Sequence, residues 1–181
     1  EILLESVLEL ATDYNAARYD YVQALVDLHK HARAREEIEK LIAIEPANPA
    51  NRITLASILV SLGELEETVA RYRLLLEERP NDAPITHSLG HALKTLGRHE
   101  EAVAAYRRAT EIRPSYGEAY WSLANLKTYR FTDEELDRMR EHESEATAQA
   151  ADRYHLCFAL GKSLEDRGDY AESFRYYERG N

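Results

Sequence analysis

The chain has 181 residues, 44% hydrophobic and 31% charged, a mixture that fits a folded globular chain and excludes an intrinsically disordered one. A formal charge of -10 repels phosphates and anionic headgroups, so neither nucleic acid nor a membrane surface is an expected partner, and no apolar run nears the roughly 20 residues that cross a bilayer. Cys157 is the only cysteine, which excludes an intrachain disulfide; flanked by Leu156 and Phe158 it reads as a buried thiol, in a composition that suits the cytoplasm.

In chain order, residues 2–11 (Ile-Leu-Leu-Glu-Ser-Val-Leu-Glu-Leu-Ala) read as the second helix of an earlier unit, so 1–14 is assigned to a truncated repeat. Pro46, Pro80 and Pro114 then recur every 34 residues, a period of stacked helical hairpins in which each unit leans on its neighbours. Placing the prolines alike gives units at 15–48, 49–82 and 83–116, a divergent unit at 117–151 and a truncated one at 152–181.

Each unit reads as two helices. In 83–116, Leu89, Gly90, Leu93 and Leu96 mark the first, which Gly97 ends because glycine accepts a left-handed conformation without a Cβ clash. Ala102, Val103, Tyr106, Ala109 and Ile112 mark the second, stopped by Pro114. Asn48 before Pro49, and Asp82 before Ala83 and Pro84, are expected caps, and Ser115 with Glu118 an expected capping box.

Small residues mark the places where helix axes approach: Ala56, Gly90, Ala124 and Gly161 on first helices, Ala34, Ala102 and Ser173 on second ones. Tyr72, Tyr106 and Tyr177 fill the seam beside them. The rhythm breaks at 129–135 (Tyr-Arg-Phe-Thr-Asp-Glu-Glu), where no turn glycine appears and Thr132 with Glu135 spells a capping box for a new helix. A shortened second helix and a first helix extended upstream of Asp152 are expected there.

The recurring Leu-Gly, Tyr, Gly, Ala, Tyr, Ala and Pro pattern resembles the tetratricopeptide repeat. It is fullest in Leu89, Gly90, Leu93, Gly97, Ala102, Tyr106, Ala109 and Pro114, and weak in the first unit, where Val22 and His29 replace the glycines. That resemblance implies an all-α fold, an α-α superhelix or solenoid of antiparallel helix pairs. Residues 90–98, 117–128, 129–135 and 155–170 are further similar to the repeat region of bacterial tetratricopeptide-repeat sulfotransferases. In that family the array precedes a catalytic domain with a Pro-x-Arg-Ser-Gly-Ser/Thr donor loop, a segment this sequence lacks. What the likeness implies is the non-catalytic, regulatory or recruiting part, with no cofactor of its own.

In tetratricopeptide arrays the first helices line the concave face. Carried over, the resemblance places Tyr19, Gln23, Ile53, Ser57, His87, His91, Lys94, Trp121, Asn125, Phe158 and Lys162 in a groove for a protein or peptide. Trp121 is the expected hot spot, since an indole buries much area and donates one hydrogen bond; the competing reading packs it against the helix after Thr132. Receptors for chaperone tails use a Lys/Asn/Arg clamp, whereas the matching places hold Tyr19/Gln23, Ile53/Ser57 and His87/His91, without the two cations.

His87 and His91 stand i, i+4 and could share a metal, but no third ligand is legible and no metal or cofactor is assigned. Glu66 with Glu67, Glu77 with Glu78, and Glu100 with Glu101 read as solvated charge, as does an i, i+4 pair of Glu36 and Lys40. With no phosphate loop or nucleophile arrangement, the chain reads as a binding scaffold and not an enzyme. The alternative is a structural array that self-associates end to end through Leu3, Val7 and Leu10 or through Phe174 and Tyr177.

Overall fold

The computed structural model describes residues 14–145 and 149–181, and every regular element among them is helical. The readings made for residues 2–11 and for Leu3, Val7 and Leu10 lie outside the described residues. Among the described residues ten helices run in order: α1 Asn15–Asp27, α2 His31–Ile44, α3 Pro49–Leu62, α4 Leu65–Glu78, α5 Ala83–Thr95, α6 His99–Ile112, α7 Gly117–Ala124, α8 Asp133–Ser144, α9 Ala150–Asp166 and α10 Tyr170–Gly180. First helices of successive pairs begin at Asn15, Pro49, Ala83 and Gly117, a constant step of 34 residues. The fold is all-α, built of tetratricopeptide-type helix pairs. It comprises two compact units, Glu1–Pro80 and Asn81–Asn181.

One turn joins the helices of four pairs. Gly63, Gly97 and Gly168 take φ of +78°, +77° and +81°, and His29 takes +57° at the same place in the first pair. Each left-handed residue donates three residues back, and the following residue donates five back: Lys30 N to Leu25 O, Glu64 N to Leu59 O, Arg98 N to Leu93 O and Asp169 N to Leu164 O. Such bonds satisfy carbonyls that a helix end leaves open.

In the first unit Ala17, Tyr21, Val22 and Leu25 of α1, Ala34, Ile38 and Leu41 of α2, and Leu55, Ile58 and Leu59 of α3 form one buried cluster. Asn48 accepts from Ala50 N at 3.0 Å with Pro49 in the first helical position, the cap its sequence implies. The expected Glu36–Lys40 pair does not form. Lys40 instead binds Glu37 at 2.6 Å, because Glu37 lies on the buried side of α2 and also pairs with Arg18 of α1. The other acidic doublets stand in solvent or in surface ion pairs, Glu78 with Arg52 and Glu101 with Arg98.

In the second unit Asp82 accepts from Ile85 N at 3.0 Å and caps α5. Tight crossings coincide with the small residues: a Cβ on Gly90 would meet the Tyr106 ring at 2.5 Å, and one on Gly161 the Tyr177 ring at 2.8 Å. Ala102 is fully buried, and Ser173 Oγ donates to Gly161 O at 2.7 Å.

The irregular joint departs from expectation at one end. The Ser115–Glu118 capping box is absent: α7 has no side-chain cap from its own segment, and Asp152 of α9 accepts from Gly117 N at 3.1 Å and from Arg113 at 3.0 Å. Gly117 permits that approach, since a Cβ there would stand 2.2 Å from Asp152 O. The Thr132–Glu135 capping box does form. Phe131, 34 residues after Gly97, turns inward against Tyr120 and Tyr129, and α7 spans only 8 residues. α8 then packs on α9, where the Glu143 carboxylate, 2% exposed, accepts from Arg179 at 2.5 and 2.7 Å and from Arg153 at 3.3 Å. Cys157 is buried as expected and donates to Glu143 at 3.5 Å, and burial pushes its thiol up to about 11.

His29 occupies a conformation that costs an L-residue about 1–2 kcal/mol and glycine almost nothing, offset in part by the greater chain entropy of glycine. His29→Gly is therefore expected to stabilise the chain by roughly 0.5–1 kcal/mol in urea unfolding. An unchanged or lower midpoint would show that the turn carries no strain.

Candidate functional site

The first-helix residues fall into two sets, one in each unit. In the first unit Tyr19, Gln23 and Ile53 are half-buried and Ser57 is exposed. Tyr19 OH lies 3.3 Å from Thr54 Oγ1, which ties α1 to α3. A cavity of about 430 Å³ opens beside them, lined by Tyr19, Asp20, Glu45 and Asn51 among others.

In the second unit the residues singled out link α7 to α9 directly. Trp121 of α7 is half-buried and packs on Phe158 of α9, ring centroids 5.7 Å apart at 59°. Neither sequence reading had that partner, a ring on the next first helix. Phe158 also meets Tyr154 at 6.0 Å and Tyr177 at 5.9 Å. Asn125 is exposed and its amide donates to Trp121 O at 2.9 Å. Lys162 reaches Asp166 at 2.7 Å and Glu165 at 3.6 Å, so its charge is compensated along its own helix.

His87 is placed differently from expectation. It is 5% exposed, beneath the surface and not on it. Its Nε2 lies 2.8 Å from Ser122 Oγ and 3.1 Å from His91 Nε2, and its Nδ1 lies 3.3 Å from Tyr116 OH. His91 is exposed on its outer side, and its Nδ1 lies 3.2 Å from Tyr106 OH. Tyr116 OH donates to Glu118 at 3.2 Å, so its oxygen accepts from His87 Nδ1–H. Continuity then runs the proton of His91 from Nε2 to the bare His87 Nε2, with Tyr106 OH donating to His91 Nδ1.

Sequence reasoning missed Tyr116 and Ser122, and had Glu118 as a helix cap and not as a member of this cluster. The available signal was spacing: Ser122 lies one repeat plus one residue beyond His87, where adjacent first helices meet.

Burial first, and then the neighbouring His91 ring, lower His87 to about 4 against an opposing pull from Glu118; His155 adds a small lowering. Burial, then Lys94, lowers His91 as well. Burial raises both tyrosines to about 12, helped at Tyr116 by Glu118. At neutral pH the two imidazoles and two phenols are therefore uncharged, the cheapest state for a buried cluster. Among the described residues no group of three or more His, Cys, Asp or Glu is arranged around a metal position, and no helix is long and apolar enough to cross a membrane.

Because His87 is protonated near 6.5 in the unfolded chain but only near 4 in the folded one, its contribution is complete above about pH 6.5 and is lost as pH falls toward 4. Urea unfolding at pH 7 and pH 5 should show a loss on the order of 1–2 kcal/mol that His87→Gln reduces. Equal losses in both proteins would contradict the assignment.

The comparisons with known proteins agree with this geometry. The tetratricopeptide-repeat family matches residues 25–90 in one description (Tetratricopeptide repeat) and 90–127 in another (TPR repeat), together more than half of the chain. No curated protein matches it. Among solved structures, a tetratricopeptide repeat protein from Parabacteroides merdae ATCC 43184 is similar at TM-score 0.65 and 21% identity, over 92% of this chain and 65% of that one. MamA from Desulfovibrio magneticus RS-1 is similar at TM-score 0.63 and 14% identity, over 93% of each chain. Another MamA crystal structure gives TM-score 0.59 and 15% identity, over 98% of this chain and 82% of that one. At such identities these structures speak to fold alone. With its helix pairs, its 34-residue step and its matched segments, the chain belongs to the tetratricopeptide-repeat proteins.

Proposed function

We propose that the chain is a non-catalytic docking scaffold that takes a protein or peptide segment along its first helices. The observation that carries this reading is the Trp121–Phe158 pair, two half-buried aromatic rings from adjacent first helices beside exposed Asn125, whose amide donates to Trp121 O. Aromatic surface beside an amide is the chemistry of a binding hot spot. His91, Lys94, Trp121, Asn125, Phe158 and Lys162 form the contact set of the second unit, with His87 beneath it as support; Tyr19, Gln23, Ile53 and Ser57 form that of the first. The units 15–48, 49–82, 83–116, 117–151 and 152–181 are the repeats of this reading, working in the cytoplasm.

The finer reading, a recruiting region of a sulfotransferase-like protein, rests on the wording of residues 90–98, 117–135 and 155–170 alone. It stands or falls on whether the parent gene encodes the donor-binding loop in a further domain.

Peptides selected from a random display library on the intact chain provide the test. Trp121→Ala and Phe158→Ala are each expected to weaken the selected peptides at least tenfold, about 1.4 kcal/mol. Affinities unchanged by both substitutions would remove the site.

A second reading, self-association, is favoured by exposed rings on α10: Tyr170 is 70% exposed and Phe174 63%. Tyr177 does not join them, since it packs on Gly161 and donates to Glu165 at 3.0 Å. Light scattering should show any dimer lost in Phe174→Glu; a dimer that survives would place the contact elsewhere.

A further inference from the structure

Two ring nitrogens on α5 stand side by side, on rings set edge to face with centroids 4.4 Å apart. His87 Nε2 and His91 Nε2 stand 3.1 Å apart, and Ser122 Oγ of α7 lies 2.8 Å from the first and 3.5 Å from the second. Imidazole nitrogens held by one metal at about 2.0–2.1 Å lie about 2.9 Å apart at a right angle and about 3.4 Å apart at the tetrahedral angle. The pair is thus already spaced as two neighbouring ligands of a single ion. We propose that His87 and His91, with Ser122 Oγ as a weaker third donor, bind a late first-row divalent cation of the copper, nickel and zinc group.

The far side of each ring supports the site. Ligand imidazoles are ordinarily fixed by a hydrogen bond at their other nitrogen. Here Tyr116 OH holds His87 Nδ1 at 3.3 Å and passes the polarisation to Glu118, while Tyr106 OH holds His91 Nδ1 at 3.2 Å. In the metal-free cluster one proton, on His91 Nε2, occupies the space between the two nitrogens. The cation displaces it and sits to one side of the line between the nitrogens, the His91 proton moves to Nδ1, and the Tyr106 oxygen turns from donor to acceptor, a change of role open to any hydroxyl.

Access and ligand type narrow the choice of ion. The outer side of His91 is exposed, leaving a route in and positions for water ligands. Two imidazoles without an oxygen cage suit copper, nickel or zinc and do not suit magnesium or calcium. With so few protein ligands the site is weak and exchangeable, unlike a structural zinc site with four. This inference is independent of the docking reading.

Cu²⁺ titrated into the intact chain, followed by calorimetry and electron paramagnetic resonance, tests it. One equivalent is expected to bind with coupling to two nitrogens. His91→Gln, on the exposed side and checked for folding by circular dichroism, should weaken that equivalent at least tenfold and leave a single coupled nitrogen. His99→Gln, an exposed histidine on α6, should change neither quantity. Copper held equally by wild type and His91→Gln, a one-nitrogen signal in wild type, or a loss that tracks His99 would make the ion adventitious and overturn the proposal.

Discussion

Helix pairing here depends on the volume available where two helix axes cross. At Gly90 and Gly161 the space a Cβ would need is already filled by the ring of a tyrosine sixteen residues later, Tyr106 and Tyr177. The first pair solves the same problem with Val22 and Ile38, both fully buried in one cluster, which shows that the constraint is on combined volume and not on glycine itself. Because the crossing fixes which faces of the helices turn outward, it also decides which residues of α5, α7 and α9 remain available to the proposed partner.

In the second unit the pattern lapses, and the packing changes with it. Phe131 stands where a turn glycine would fall, and an inward-facing ring cannot serve as a left-handed turn. α7 stops after 8 residues, and α9 takes over part of the work by capping it through Asp152. α8 is then secured by Glu143, a nearly fully buried carboxylate held by two arginines. A buried carboxylate is costly unless it is paired in this way, so the irregular joint is a specified arrangement and not a slack one. The same region holds Phe158 against Trp121, the ring pair on which the proposed docking surface rests.

The polar cluster around His87 joins packing to chemistry. Five side chains from three successive helices and the loop before α7 satisfy one another in a directed chain that ends on the Glu118 carboxylate. Such a chain costs little while its imidazoles and phenols are neutral and every group is paired, and it couples α5 to α7 with more specificity than apolar contact alone. Its exposed member His91 lies on the same helical face as Lys94, so the ordered interior and the proposed contact surface share one element.

Period, helix pairing and local caps were legible in the sequence by itself. Gly97, Asn48, Asp82 and the Thr132–Glu135 box each act through neighbours a few residues away, and short-range chemistry is written in short-range spacing. The site was legible only by position: the register named His87, His91, Trp121 and Phe158, but not that His87 is buried or that the indole meets Phe158. Those outcomes, like the replacement of Ser115 by Asp152 as the cap of α7, belong to the tertiary structure. They depend on which distant helix comes within hydrogen-bonding or van der Waals reach, and that is decided by how all the helices pack at once.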